Sequence, residues 1–132
     1  RLYNNTMSKT IFCDIDGCIV NHPKIYLSTY EKDPEYLPGV KEKLFEWYCQ
    51  GYNIILTTGR PDHEKQKLKD IFARDGIFFS QLITSCGANA RYLINDREPG
   101  KLTNKAFAIN IDRNSGIGSI NLDKDGVSWF TF

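Results

Sequence analysis

The sequence predicts a single α/β domain of 132 residues built on a parallel sheet. Two observations predict it. Short apolar runs without polar alternation end abruptly in polar residues, as strands buried on both faces do. Segments with apolar residues at helical spacing lie between those runs, and strand–helix–strand alternation argues for right-handed crossovers with helices on both faces, a three-layer α/β/α arrangement.

The elements follow in order. Thr10–Asp14 is an apolar, β-prone run and reads as the first strand. Residues 21–38 are irregular and rich in Tyr, with Pro34 and Pro38-Gly39 closing them, and read as a flap. Over residues 40–50, Val40, Leu44, Trp47 and Tyr48 recur at helical spacing and Gly51 stops the helix. Asn53–Thr57 is the second buried strand. Residues 62–75 form the second predicted helix, with Leu68, Ile71 and Phe72 on one stripe and Gly76 as its stop. Leu82-Ile83-Thr84, Tyr92-Leu93-Ile94 and residues 106–111 supply three more expected strands. Residues 119–132 carry an Asp125-Gly126 turn signal between two β-prone runs, a candidate C-terminal β-hairpin.

Bulk properties narrow the function. Apolar content of 41% and charged content of 25% are ordinary for a globular domain. A net charge of +1 lacks the basic bias of a nucleic-acid binder. No apolar run approaches the roughly 20 residues of a membrane span, and the N-terminus shows no signal-peptide core. Residues 1–6 precede Met7, the only methionine, and are set aside as an extension. Cys13, Cys18, Cys49 and Cys86 form no Cys-x-x-Cys pair and read as small apolar residues in a reducing cytoplasm.

Chemistry gathers at the strand ends. Asp14 and Asp16 stand at i and i+2 and start out aimed at one spot. Two like charges so close call for a cation, a shared proton or solvent. Gly17 permits the sharp departure of the backbone that follows. Thr57-Thr58-Gly59-Arg60-Pro61 ends the second strand, and Asn95-Asp96 ends the run at 92–94. In open α/β sheets ligands bind outside the carboxyl ends of strands, so these groups are expected on one rim. A calcium-binding EF-hand loop is excluded, because Cys18 and Ile19 stand where a ligand and a glycine are needed.

Asp-x-Asp-Gly-x-x-Val from Asp14 to Val20, Leu-Thr-Thr-Gly-Arg around Thr58 and the partial match at Asn95-Asp96 resemble three motifs of the haloacid dehalogenase (HAD) superfamily of phosphohydrolases. The resemblance spans roughly residues 9–112. It implies a Rossmann-like core and a Mg²⁺-dependent phosphomonoester hydrolase. Asp14 would be the nucleophile that forms an aspartyl-phosphate, and Asp16 the acid and then base. Mg²⁺ would be held by Asp14, the carbonyl of Asp16, and Asp96. Thr58 and the N–H of Gly59 would bind phosphate near the start of the following helix.

Two departures accompany the match. Asn95 replaces one acid of the usual pair. No Lys precedes the third matched motif, so Arg91 is the candidate phosphate-binding cation, with Lys101 or Lys105 as alternatives. Asn95-Asp96 also suit a turn before Pro99-Gly100, and Arg91 equally suits a solvated surface. The short intervals between motifs leave no room for a cap domain, so only residues 21–37 would roof the site, with His22, Lys24, Tyr26 and Tyr30 as candidate contacts. The expected substrate is a small phosphorylated metabolite such as a sugar or sugar-acid phosphate, with no nucleic-acid or membrane partner and a homo-oligomer as the expected assembly. The alternative is a weakly active or inactive metal- or phosphate-binding module. A receiver-type signalling domain fits less well, because Thr57-Thr58 stands where it needs an acceptor Asp.

Overall fold

The computed structural model describes residues 9–22 and 33–122. Lys24, Tyr26 and Tyr30, and residues 123–132 of the hairpin expected over 119–132, lie outside the described residues. The chain divides into two compact units, Arg1–Gly87 with Ile111–Ser119, and Ala88–Asn110 with Ile120–Phe132.

In the first unit, β1 (Thr10–Asp14), α1 (Val40–Cys49), β2 (Asn53–Thr57), α2 (Lys65–Asp75) and β3 (Gln81–Ile83) follow one another in the expected alternation. The strands form one sheet in the order β1-β2-β3, and both pairings are parallel. Side chains in register share a face. Cys13, Leu56 and Leu82 lie side by side and are all buried. The opposite face is unevenly covered, with Ile55 buried and Phe12 54% and Ile83 41% exposed.

Both helices form for reasons visible in the chain. Val40, Leu44 and Trp47 repeat at i, i+4 and i+7 and are the buried residues of α1. Leu68 and Phe72 do the same for α2, where a turn of 3-10 helix at Asp62–Glu64 leads into the α-helix. Gly76 ends α2 in the left-handed conformation at φ 76°, and Ile77 N–H returns to the Phe72 carbonyl at 3.0 Å, a closure that suits glycine. Among the described residues no helix is long and apolar enough to cross a membrane.

The segment expected to be irregular has ordered ends. Asn21 N–H donates to the Glu35 carbonyl at 2.8 Å, Leu37 N–H donates to the Ile19 carbonyl at 2.9 Å, and Val20 bridges Tyr36 in antiparallel fashion. The Tyr36 hydroxyl then donates to Asp75 Oδ2 at 2.5 Å, at the end of α2. Arg74 pairs with both Asp75 and Asp33.

In the second unit, residues 92–94 and 106–110 carry no strand, which corrects the expectation. Apolarity alone does not make a strand; its N–H and C=O groups need a partner ladder. Tyr92 and Ile94 are 88% and 92% exposed, so the run is not packed as a buried strand would be. Around it the backbone turns at Pro99-Gly100, where Lys101 N–H donates to the Glu98 carbonyl at 3.1 Å.

Removing the Tyr36 hydroxyl tests how the flap base is fastened. Tyr36→Phe is expected to lower unfolding stability by about 1.5–3 kcal/mol in urea titrations near neutral pH, the worth of a hydrogen bond to a charged group. Hydrogen bonds from Arg74 and then Tyr36 hold the Asp75 carboxyl at about 2. A carboxyl lower in the folded than in the unfolded state adds stability above its unfolded value of about 3.9, and that stability drains as pH falls toward 2. Tyr36→Phe should make that acid-side loss smaller.

Candidate active site

The β1–β2 ladder runs past the strand, because Ile15 N–H donates to the Thr57 carbonyl at 2.9 Å. The chain then folds back tightly. Cys18, Ile19 and Val20 N–H all point to the Ile15 carbonyl at 2.9–3.2 Å, and Gly17 N–H donates to the Val20 carbonyl at 2.8 Å. Gly17 sits at φ 92°, a conformation that side chains rarely adopt. Asp14 is half-buried at the end of β1, and Asp16 is carried inward by the turn.

Asp16 meets the end of β2. Arg60 grips its carboxylate with two donors, Nη2 at 2.6 Å from Oδ1 and Nε at 3.2 Å from Oδ2. The Thr58 hydroxyl donates to the same Oδ2 at 3.1 Å and accepts from Arg60 N–H at 3.2 Å. The Arg60 and Asp16 side chains are only 8% and 9% exposed, and Thr58 is fully buried. A two-pronged, charge-assisted contact of this kind fixes orientation as well as charge.

The loop after β3 covers these groups. Thr58 N–H donates to the Ile83 carbonyl at 3.0 Å, Cys86 N–H to the Thr58 carbonyl at 3.0 Å, and Ser85 N–H to the Arg60 carbonyl at 2.7 Å. Thr84 and Ser85 hydroxyls both donate to Asp62 Oδ1, and these bonds hold the Asp62 carboxyl below the ordinary carboxylate range. Gly59 has no room for a side chain: a Cβ there would lie 2.8 Å from the Gly87 carbonyl oxygen. Burial pushes the Cys13 thiol well up, so it stays a protonated, unreactive packing group.

The structure therefore brings together Asp16, Thr58 and Arg60, with Asp14 two residues before Asp16 and Gly59 exposed between Thr58 and Arg60. Arg91, Asn95, Asp96, Lys101 and Lys105 belong to the second unit and are exposed. There Asn95 Nδ2 donates to the Asp96 carbonyl at 3.2 Å, and Lys101 pairs with Glu98 at 3.1 Å. Sequence reasoning passed over Arg60. Its signal was present: an arginine two residues past a strand-end Thr, in a chain whose first strand ends in paired acids, has an obvious counter-charge.

Oxygen donors dominate the strand ends, which suits a hard cation. Among the described residues no three His, Cys, Asp or Glu side chains cluster as a metal site. Mg²⁺ does not require one, since it keeps several waters and takes one or two protein carboxylates beside a substrate phosphate. The Asp14 carboxylate and the Asp16 carbonyl are donors of that kind.

No protein-family model and no curated protein sequence matches the chain. Solved structures do. The D,D-heptose 1,7-bisphosphate phosphatase from B. bronchiseptica, crystallised with magnesium and phosphate, superposes with a TM-score of 0.50 at 14% identity, over 61% of this chain and 51% of that one. The Pnkp1/Rnl/Hen1 complex gives 0.51 at 22% identity, over 65% of this chain and 30% of that one. The likeness is one of fold, and this α/β architecture is shared with both. The chain spans about half of the first and under a third of the second.

Two stability experiments probe the site. Gly59→Ala is expected to cost about 1–3 kcal/mol, because the new methyl must displace backbone rather than a flexible side chain. Arg60→Gln should cost about 3–5 kcal/mol by stranding a buried carboxylate, while adding Asp16→Asn should recover much of that loss. Urea unfolding of both single variants and the double variant reads the coupling; strict additivity would refute it.

Proposed function

We propose that this chain is a Mg²⁺-dependent phosphomonoester hydrolase acting through an aspartyl-phosphate at Asp14. The observation that supports it most is the convergence of Asp16, Thr58 and Arg60 where two adjacent parallel strands end, with Asp14 on the same strand end. The fold likeness to a phosphatase crystallised with magnesium and phosphate supports the same reading. In it the protein is a three-layer α/β/α domain without a cap, working in the cytoplasm on a small sugar or sugar-acid phosphate, with a homo-oligomer as its assembly.

In this reading Asp16 takes up a proton from solvent once Arg60 has turned to the phosphate; the Asp14 carboxylate then attacks phosphorus as the bond to the leaving oxygen breaks, and Asp16 gives that oxygen the proton. Asp16 then takes a proton from water, which attacks the acyl phosphate and releases inorganic phosphate and free Asp14. Asp14 and the Asp16 carbonyl would hold Mg²⁺, whose charge would offset the repulsion between carboxylate and phosphate. Thr58 and Gly59 N–H would take phosphate oxygens.

Arg60 refines the scheme. Asp16 accepts from Arg60 at both oxygens, so it can exchange a proton only after one contact opens. A phosphate dianion offers the guanidinium an equivalent two-pronged partner. Substrate arrival and release of Asp16 are thereby coupled. If that release never occurs, the domain is a phosphate-binding module without turnover, the second reading.

Hydrolysis of p-nitrophenyl phosphate decides between them. Activity should require Mg²⁺, vanish with EDTA, and fall by roughly three orders of magnitude or more in Asp14→Asn. Mg²⁺-dependent phosphate binding by calorimetry, with no hydrolysis by the wild type, would favour the module instead.

A further inference from the structure

The 112–116 turn lies almost a hundred residues beyond Asp16, yet it is fastened to the loop that follows that residue. Asn114 N–H donates to the Gly17 carbonyl at 2.8 Å, and His22 N–H donates to Asn114 Oδ1 at 2.7 Å. One residue thus grips both the first and the last position of the 17–22 loop. Arg113 Cγ packs against Gly17, 3.3 Å from where a Cβ there would stand. The turn is preformed, since Ser115 N–H and Oγ both donate to the Asp112 carbonyl, at 3.1 and 2.7 Å. Gly116 seats it on Leu37 and Pro38, where a Cβ would come within 3.2 Å of Leu37 Cβ.

Asn114 holds φ 67°, in the left-handed region that costs most residues energy and that Asn tolerates. Glycine would meet that backbone demand better, so the side-chain amide is the feature that glycine would not supply. Its Oδ1 is spent on His22. The consequence runs to Asp16. Gly17 is a swivel without a side chain, so the direction of the peptide joining it to Asp16 depends on what holds Gly17 at its N–H and at its C=O. Gly17 N–H is held by Val20, and Gly17 C=O by Asn114.

We propose that Asn114 is a positioning residue that sets the direction of Asp16 by clamping the 17–22 loop; its effect on turnover rests on the hydrolase reading above. Arg60 fixes the far end of the Asp16 side chain, and Asn114 fixes the backbone from which it springs. The clamp contributes no group to the reaction and needs no change during it.

Three variants test this. Asn114→Gly keeps the backbone conformation and loses the side chain, Asn114→Asp keeps an oxygen for His22, and Asn114→Ala loses both advantages. By NMR, exchange of the His22 amide should rise about five- to tenfold in Asn114→Gly and stay near wild type in Asn114→Asp, the size expected for one hydrogen bond. The Arg60 Nε–H should exchange faster in Asn114→Gly as well. In turnover of p-nitrophenyl phosphate, kcat should fall on the order of tenfold or more in Asn114→Gly with KM little changed, and Asn114→Asp should restore it. Wild-type kcat in Asn114→Gly overturns the proposal, as does a His22 amide that exchanges equally in both. A wild type that hydrolyses nothing overturns the hydrolase reading instead, and the clamp is then judged on His22 and Arg60 exchange alone.

Discussion

A carboxylate and a guanidinium, both nearly out of water, meet where β1 and β2 end. Neither Asp16 nor Arg60 tolerates that burial alone, because an uncompensated buried charge is among the costliest features a fold can hold. The pair therefore constrains both loops at once. The turn after β1 must bring Asp16 inward, and the turn after β2 must bring Arg60 back over Thr58. The loop after β3 completes the enclosure by taking up the main-chain groups of Thr58 and Arg60. Buried ion pairs add little to net stability compared with apolar replacements, so this one is better understood as specifying geometry.

The placement follows from the sheet. Parallel strands in the order β1-β2-β3 all point their carboxyl ends the same way, so residues following each strand collect at one edge without any local sequence signal joining them. Asp14 and Thr57 are direct register partners. The residues after them, Asp16 and Thr58, then fall within hydrogen-bonding distance across 42 positions of chain. The tight turn at Gly17 and the close approach at Gly59 are where the backbone accepts only glycine without rearrangement.

Much of this was legible in the sequence. The unbroken apolar runs located β1 and β2 to the residue, and the spacing of Val40, Leu44 and Trp47, and of Leu68 and Phe72, located both helices. Asp16 and Thr58 were expected at one place and are together. Runs of three apolar residues were less informative: 82–84 slid by one position to Gln81–Ile83, and 92–94 formed no strand. A segment that short has no periodicity to measure, so partner availability decides its state. Arg60, Tyr36 with Asp75, and Asn114 were missed for a common reason. Each acts through one long-range contact, and pattern within a window cannot register a partner 39 to 92 residues away.

Asp16 is held in two different ways, and the difference bears on what it can do. The hold on its side chain is electrostatic and exchangeable, since a guanidinium will trade one oxyanion for another of similar shape. The hold on its backbone is made of neutral hydrogen bonds at Gly17, Val20 and Asn114. An acid–base group needs both properties, a fixed origin and a releasable tip, because proton transfer succeeds only over hydrogen-bond distances. In the proposed mechanism that division, with the charge on a swappable partner and the direction on main-chain bonds, would leave Asp16 a fixed origin and a releasable tip.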